Sequence, residues 1–166
     1  KSAAATAIAR EFNGVVINAD SMQIYDGLPL LTARPTVAEM GEIPHRLYGV
    51  LEIGEVCSAA RWRDMAITEI EAARDAGLLP VLCGGSGLYI KALMEGLSPI
   101  PEIPGDIRRA VRTALETQGV AAMYERLTAR DPVMADRLKS TDRQRISRAL
   151  EVLEATGRSL AEWQAE

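Results

Sequence analysis

Two short apolar runs in the first half of the chain each end in a polar or glycine-rich segment. Residues 15–17 (VVI) lead into 18–21 (NADS), and residues 79–83 (LPVLC) lead into 84–87 (GGSG). Short apolar runs bounded by turn residues are typical of buried parallel strands. In an open parallel sheet, functional side chains gather just past the carboxyl ends of the strands, which is where Asp20 and Ser86 fall. The pattern predicts an α/β fold with a site at that edge.

Helical patterns alternate with these runs. An Ala-rich helix is predicted over residues 2–12, an amphipathic helix over 59–76 and a further helix from 88 to about 95. Residues 47–53 are a third strand candidate. Strands that alternate with helices predict a doubly wound parallel sheet.

The composition changes at a proline-rich segment, residues 98–105 (SPIPEIPG). Every later segment is helical in pattern, with helices predicted at 106–118, 120–129, 132–138 and 142–156. Gly119 is the expected stop between two of them, and Gly157 the residue that closes the last. We therefore predict two domains, an α/β core over 1–98 and a helical domain over 99–166.

Composition excludes several classes of protein. With 166 residues, 48% of them hydrophobic, the chain has the balance of a globular protein rather than a disordered one. A net charge of −4 excludes a uniformly basic nucleic-acid coat but not a local basic stripe. Two cysteines are too few for a disulfide framework or a zinc site, and no apolar run approaches the roughly 20 residues of a membrane span. We expect a cytoplasmic protein with no membrane segment.

Three positions in the predicted α/β core are candidates for phosphate chemistry. Lys1 and Ser2, at the head of a helix, match the last two positions of a G-x-x-x-x-G-K-[ST] loop, in which Lys pairs with phosphate and Ser holds Mg²⁺. Asp20 suits a general base or an indirect Mg²⁺ ligand. The alternatives are an ordinary helix start and an Asp that caps the next turn.

The segment 84–87 permits two interpretations. Its N–H groups and the Ser86 hydroxyl could bind an anion where the next helix begins, or Ser86 could be the N-cap of a plain glycine-rich turn. His45, the only histidine, has no cysteine or second histidine near it, and we expect it to be structural.

The last predicted helix opens with a basic stretch. Residues 139–148 contain four basic residues and one acidic residue, and Gln144 and Arg148 share one helical face. Arg143, Arg145 and Arg148 suit contacts with nucleic-acid phosphates, unless they form a solvated face paired with Glu151 and Glu154. An aromatic content of 4% argues against a protein that binds single-stranded nucleic acid by stacking bases on aromatic rings.

Five blocks, in order, resemble bacterial tRNA dimethylallyltransferases. They are 20–25 (DSMQIY), 32–35 (TARP), 44–47 (PHRL), 84–89 (GGSGLY) and 144–152 (QRISRALEV). The resemblance extends over the whole chain and implies a P-loop NTPase-like parallel sheet core with an inserted all-helical domain. It also implies transfer of a dimethylallyl group from dimethylallyl diphosphate to N6 of the adenosine beside the tRNA anticodon, with Mg²⁺.

The resemblance implies a role for particular residues. Asp20 matches the general base on N6, Lys1 and Ser2 match the end of the diphosphate loop with Ser2 on Mg²⁺, and Ser86 matches a Thr of the family that we assign to co-substrate binding. The residues that match tRNA-contacting positions are Asp20, Ser21, Met22, Gln23, Ser86, Arg108, Gln144, Arg145, Ile146, Ser147 and Arg148.

The implied partners are a tRNA anticodon stem-loop and dimethylallyl diphosphate, bound by a monomer. The loop glycines expected before Lys1 and the family's C-terminal portion are absent from this sequence, so we expect it to be part of a longer enzyme and inactive alone. The alternatives are a small-molecule P-loop kinase, a related enzyme that prenylates free adenine nucleotides, and a non-catalytic tRNA-binding module.

Overall fold

A three-stranded parallel sheet organises the first half of the chain. The computed structural model, which describes residues 1–165, has in this half the elements α1 (Ser2–Glu11), β1 (Gly14–Asn18), α2 (Val37–Met40), β2 (His45–Arg46), α3 (Ala59–Asp75), β3 (Leu79–Cys83) and α4 (Gly87–Met94). The strand order is β2-β1-β3, and both pairings are parallel. The predicted α/β class, the strands at 15–17 and 79–83 and the three helices are confirmed.

β1 is the central strand, and all five of its residues are buried. Successive side chains of a strand point to opposite faces of the sheet. Val16 accordingly packs in a cluster with Ala5 and Ala9 of α1, whereas Ile17 packs in a second cluster with Trp62 of α3. The sheet is therefore covered by helix on both faces, as its continuous apolar strand predicts.

The prediction of a strand over 47–53 is wrong. The second strand of the sheet is instead the two-residue β2 (His45–Arg46), and in the predicted segment only Leu51 forms an isolated bridge, with Tyr25. Leu47 has a φ of 60° and Gly49 a φ of 62°, and these left-handed conformations turn the chain out of the ladder. Leu47 and Leu51 are apolar because they are buried in the core, not because they belong to a strand.

The second unit begins at Ser98, and all of the secondary structure among its described residues is helical. Its elements are α5 (Gly105–Arg130), α6 (Pro132–Asp136), α7 (Arg143–Thr156) and α8 (Leu160–Trp163). Its own core is built around Met123 and Leu127 of α5 and Ile146 and Leu150 of α7. Within residues 1–165, no helix has both the length and the apolar character needed to cross a membrane.

The glycines of this unit act as the sequence predicts. The two helices expected at 106–118 and 120–129 both form within α5 and are separated by a kink at Gly119, whose φ of 80° and ψ of 166° are not helical. Gly157 ends α7 in the left-handed conformation, with φ 68°. Asp142 and Asp131 accept hydrogen bonds from backbone N–H groups at the starts of α7 and α6.

Leu150→Ala should lower the free energy of unfolding of the second unit by about 2–5 kcal/mol, because it opens a cavity in a fully buried position. Chemical denaturation monitored by circular dichroism measures the effect. Val133→Ala, at an exposed position on α6, is the control and should change stability by no more than about 0.5 kcal/mol. Equal losses of stability in the two variants would contradict a core between α5 and α7.

Candidate active site

The loops that follow β1 and β3 meet at the carboxyl edge of the sheet. The register pairs Asn18 with Cys83, so both strands end at the same level. The N–H of Ala19 donates to the carbonyl of Cys83 at 2.8 Å, and the N–H of Ser86 donates to the carbonyl of Ala19 at 3.1 Å. Two hydrogen bonds thus hold the loops side by side.

Gly84 allows this approach because it has no side chain. A Cβ at this position would lie 2.0 Å from the carbonyl carbon of Ala19, which is backbone and cannot move aside cheaply. At Gly87, by contrast, a Cβ would meet nothing within 4 Å. The first glycine of the GGSG segment is therefore needed for packing, and the last is not.

Side chains satisfy three successive N–H groups of the turn after β1. The N–H of Asp20 donates to Asn18 Oδ1 at 2.9 Å, that of Ser21 to Ser86 Oγ at 2.8 Å, and that of Met22 to Asp20 Oδ1 at 2.9 Å. Ser86 occupies the N-cap position of α4, but its hydroxyl makes no capping bond. It instead ties the two loops together, and its hydroxyl proton can still be donated.

Asp20 and Lys1 face the same small space beside Gly85. A Cβ at Gly85 would lie 3.3 Å from Lys1 Nζ and 3.4 Å from Asp20 Oδ2. Among the described residues the two charged groups are not within ion-pair distance of each other. Because Asp20 Oδ1 already accepts the Met22 N–H, Oδ2 is the carboxylate oxygen that remains available at this space.

The start of α1 can receive an anion. Lys1 is the N-cap residue, and its side chain makes no capping hydrogen bond. The Ser2 carbonyl accepts from the Thr6 hydroxyl at 3.1 Å, whereas no partner of the Ser2 hydroxyl occurs within residues 1–165. The first N–H groups of a helix lack intrahelical partners and favour negative charge. Lys1, Ser2, Asp20 and Ser86, predicted from separate motifs, therefore belong to one edge of one sheet.

Gln23 has an intramolecular role that the sequence analysis missed. Its Nε2 donates to the carbonyls of Thr32 at 2.9 Å and Ala33 at 3.1 Å. This anchors the loop that carries the TARP block to the turn that carries Asp20. Met22, the neighbour of Gln23, leaves its side chain 52% exposed. The sequence shows only that a glutamine lies between a strand end and a loop. It does not show which backbone groups that glutamine contacts.

Two further residues near Asp20 were also missed. Asn18, at the end of β1, is fully buried and polar. The hydroxyl of Tyr48 is buried and has no hydrogen-bond partner among the described residues. Burial raises the pKa of the Tyr48 phenol, and the nearby Cys83 and Asp20 raise it further, so Tyr48 stays neutral at neutral pH. His45 Nδ1 lies 2.8 Å from the Ile43 carbonyl, and a structural role for His45 stays a prediction.

The residues of the second unit that are predicted to contact tRNA differ in their exposure to solvent. Arg108 on α5 and Gln144 and Arg145 on α7 are exposed, and Ser147 and Arg148 are partly exposed. Ile146 is fully buried in the core of this unit, so its side chain offers no contact surface. Its predicted contact with tRNA could be made only by the backbone.

The basic residues of α7 make weak ion pairs. Arg145 lies 3.6 Å from Asp142, and Arg148 lies 3.6 Å from Glu151. Asp142 and Glu151 are partly buried, but the arginines reach into solvent, and such long pairs leave the cation able to exchange partners. Glu154 does not pair with these arginines as the alternative interpretation supposed. It pairs with Arg126 and Arg130 of α5.

Comparison with known proteins identifies relatives along the whole chain. The family model described as IPP transferase matches residues 23–166. A tRNA dimethylallyltransferase of Paramagnetospirillum magneticum is 64% identical over 166 residues, which are 100% of this chain and 53% of that protein. One from Rhodospirillum rubrum is 53% identical over 163 residues, covering 98% of this chain and 50% of that protein. The chain thus spans about half the length of these curated relatives.

Solved structures agree with this result. The structure of a eukaryotic dimethylallyltransferase acting on tRNA is similar with a TM-score of 0.82 and 28% identity, over 100% of this chain and 41% of that chain. A tRNA isopentenylpyrophosphate transferase from Bacillus halodurans is similar with a TM-score of 0.59 and 33% identity, over 96% of this chain and 53% of that one. These neighbours place the sheet of the first unit among P-loop-like folds.

Gly84→Ala should destabilise the first unit by roughly 1–3 kcal/mol, the usual effect of overpacking, because the new methyl group collides with the Ala19 backbone. Gly87→Ala is the matched control and should be neutral or slightly stabilising, since this position is the open first residue of α4. Thermal unfolding of both variants measures the difference. A stable Gly84→Ala protein would contradict the close approach of the two loops.

Proposed function

This chain belongs to the IPP transferase family, and from that premise we propose that the full-length protein carrying it is a tRNA dimethylallyltransferase. It transfers the dimethylallyl group of dimethylallyl diphosphate to N6 of the adenosine on the 3′ side of the tRNA anticodon, releasing diphosphate. The names of the relatives support the proposed identity of both substrates. The placement of Asp20 Oδ2 and Lys1 Nζ at one small space beside Gly85 is the observation that carries the proposal.

The reaction needs a base and a stabilised leaving group at adjacent positions. The bond between C1 of the dimethylallyl group and the diphosphate oxygen breaks, and the diphosphate takes the electron pair. The lone pair of N6 forms the new bond to C1, and N6 then loses one proton. Asp20 Oδ2 accepts that proton, because it is the carboxylate oxygen not already committed to the Met22 N–H.

The leaving group is stabilised at the other side of the same space. Lys1 brings a positive charge, and the unpaired N–H groups at the start of α1 bring the positive end of the helix dipole. Ser86 can donate its hydroxyl proton to a diphosphate oxygen or to the target base while it accepts from Ser21. Such groups lower the barrier because they are already oriented toward the charge that develops on diphosphate.

The residues present suit a Mg²⁺ ion held mainly by the diphosphate and water. Within residues 1–165, no group of three or more His, Cys, Asp or Glu forms a metal cage. The Ser2 hydroxyl and, indirectly, the Asp20 carboxylate are hard oxygen donors of the kind Mg²⁺ accepts, one or two at a time, alongside phosphate oxygens. When bound, Mg²⁺ would neutralise part of the charge on the leaving group.

The basic face of α7 is the proposed tRNA contact. Gln144, Arg145 and Arg148 lie on its outer side, and Arg108 is exposed on α5. We assign residues 1–98 to catalysis and residues 99–166 to tRNA binding on this basis. A monomer, a cytoplasmic location and recognition of the anticodon stem-loop stay predictions.

The full-length protein should be incubated with dimethylallyl diphosphate, Mg²⁺ and an unmodified anticodon stem-loop, and the mass of the RNA followed. A gain equal to one dimethylallyl group in place of a hydrogen, on the adenosine beside the anticodon, supports the proposal. No gain, with label moving from ATP to a small acceptor, would favour a kinase. Activity on AMP but not on the stem-loop would favour a nucleotide prenyltransferase.

Asp20→Ala should lower turnover by roughly 10²- to 10⁴-fold, the usual effect of losing a general base, with little change in tRNA affinity. Steady-state kinetics and a tRNA-binding assay measure the two quantities. Asp75→Ala is the control, because Asp75 is an exposed carboxylate at the last position of α3, away from the carboxyl edge of the sheet. Equal losses in turnover and in affinity would argue against a base at Asp20.

Arg145→Ala combined with Arg148→Ala should weaken tRNA binding and flatten its salt dependence by roughly one unit of the log–log slope for each phosphate that the variant no longer neutralises. Binding titrations between low and high salt measure the slope. Arg10→Ala is the control, since Arg10 lies in the last turn of α1, at the opposite end of that helix from Lys1. An unchanged slope in the double variant would remove α7 from the tRNA interface.

A further inference from the structure

Asn18 is the most completely satisfied polar side chain near the proposed base. It is the last residue of β1 and is 0% exposed. A buried polar side chain is tolerated only when its hydrogen bonds are made, and an amide offers two donors and one acceptor group. Asn18 uses all three.

The amide of Asn18 holds the backbone of Asp20 on both sides. Its Oδ1 accepts from the Asp20 N–H at 2.9 Å, and its Nδ2 donates to the Asp20 carbonyl at 3.0 Å. Only one orientation of the amide meets both partners, because one is a donor and the other an acceptor. The peptide groups flanking Asp20 are therefore fixed in position and in direction.

The second N–H of the same amide reaches the chain after β2. Asn18 Nδ2 donates to the Leu47 carbonyl at 3.0 Å. Leu47 is buried and has a φ of 60°, a left-handed conformation that is strained for a bulky L-residue. The hydrogen bond offsets part of that strain and joins the turn of Asp20 to a second segment of the core.

The backbone of Asn18 is held as well. Its carbonyl accepts from Trp62 Nε1 at 2.9 Å, and Trp62 is fully buried on α3 and stacked on Tyr89. The residue that orients Asp20 is thus itself anchored to a helix. The backbone from Asn18 to Asp20 consequently has little freedom to move.

We propose that Asn18 is a positioning residue that sets the place of the Asp20 carboxylate, and with it the direction of Oδ2, for proton abstraction from the acceptor amine. This rests on the proposed function. No other side chain of similar size meets the three partners. Asp lacks both donors, Ser and Thr have one hydroxyl proton for two carbonyls, and Ala has neither donor nor acceptor.

A positioning role predicts a loss in the chemical step alone. Displacing a catalytic group by about 1 Å can lower the rate about 10²-fold without weakening substrate binding. In the full-length protein, Asn18→Ala and Asn18→Asp should therefore lower kcat by about that factor, with KM for dimethylallyl diphosphate and for the anticodon stem-loop changed less than about threefold. Asn18→Ser, which restores one donor, should recover part of kcat.

The double variant Asn18→Ala with Asp20→Ala separates positioning from general damage. If Asn18 acts through Asp20, the double variant is no slower than Asp20→Ala alone, because residues that act as one unit are not additive. Single-turnover rates at saturating substrate, corrected for the folded fraction, measure this. Val16→Ala is the stability control, since Val16 is equally buried in β1 but makes no side-chain hydrogen bond.

Three outcomes would overturn the proposal. They are losses that multiply in the double variant, an increase in KM that accounts for the whole effect, and a Val16→Ala enzyme as slow as Asn18→Ala. If Asn18→Ala does not fold, Asn18→Ser and Asn18→Asp are put through the same comparison with Asp20→Ala. A wild-type protein that transfers no dimethylallyl group would instead refute the proposed function, so the two failures are distinguishable.

Discussion

Five consecutive register pairs between β1 and β3, from Gly14 with Leu79 to Asn18 with Cys83, end the two strands at the same level. The placement of the two loops that carry Asp20 and Ser86 follows from this pairing. The loops begin side by side, Gly84 lies against the backbone of Ala19, and Ser86 reaches the N–H of Ser21. Parallel strands make such an arrangement natural, because their carboxyl ends all meet at one edge of the sheet.

In the candidate site, some polar atoms are held by hydrogen bonds within the protein, and others remain available to a ligand. The N–H groups of Asp20, Ser21 and Met22 are all bound by side chains, which leaves the turn little freedom. The groups left for a ligand include Asp20 Oδ2, Lys1 Nζ and the proton of the Ser86 hydroxyl. A site whose donors and charges are oriented before the substrate arrives spends little free energy on reorganisation during the reaction. The buried amide of Asn18 is stable here because all of its hydrogen bonds are made.

Helix α7 shows how one segment can contribute both to stability and to binding. Ile146 and Leu150, four residues apart, lie on the buried face of α7, while Gln144, Arg145 and Arg148 lie on the other. Glu154 joins α7 to α5 through Arg126 and Arg130, so that acidic residue is used within the unit. Arg145 and Arg148 are paired only at 3.6 Å, with the partly buried Asp142 and Glu151, and an RNA phosphate can compete for such long ion pairs.

The sequence by itself determined the parts of this protein that depend on local pattern. Apolar runs located β1 and β3, glycine marked the kink at 119 and the end of α7, and polar residues after strands located Asp20 and Ser86. Only the tertiary structure decided that residues 47–53 form no strand, that Gln23 anchors the 32–33 loop, and which groups Asn18 contacts. Periodicity reports which residues are buried, but it does not report which distant atoms meet. Asn18 and Leu47 are 29 positions apart, so the hydrogen bond that joins them exists only once the chain has folded.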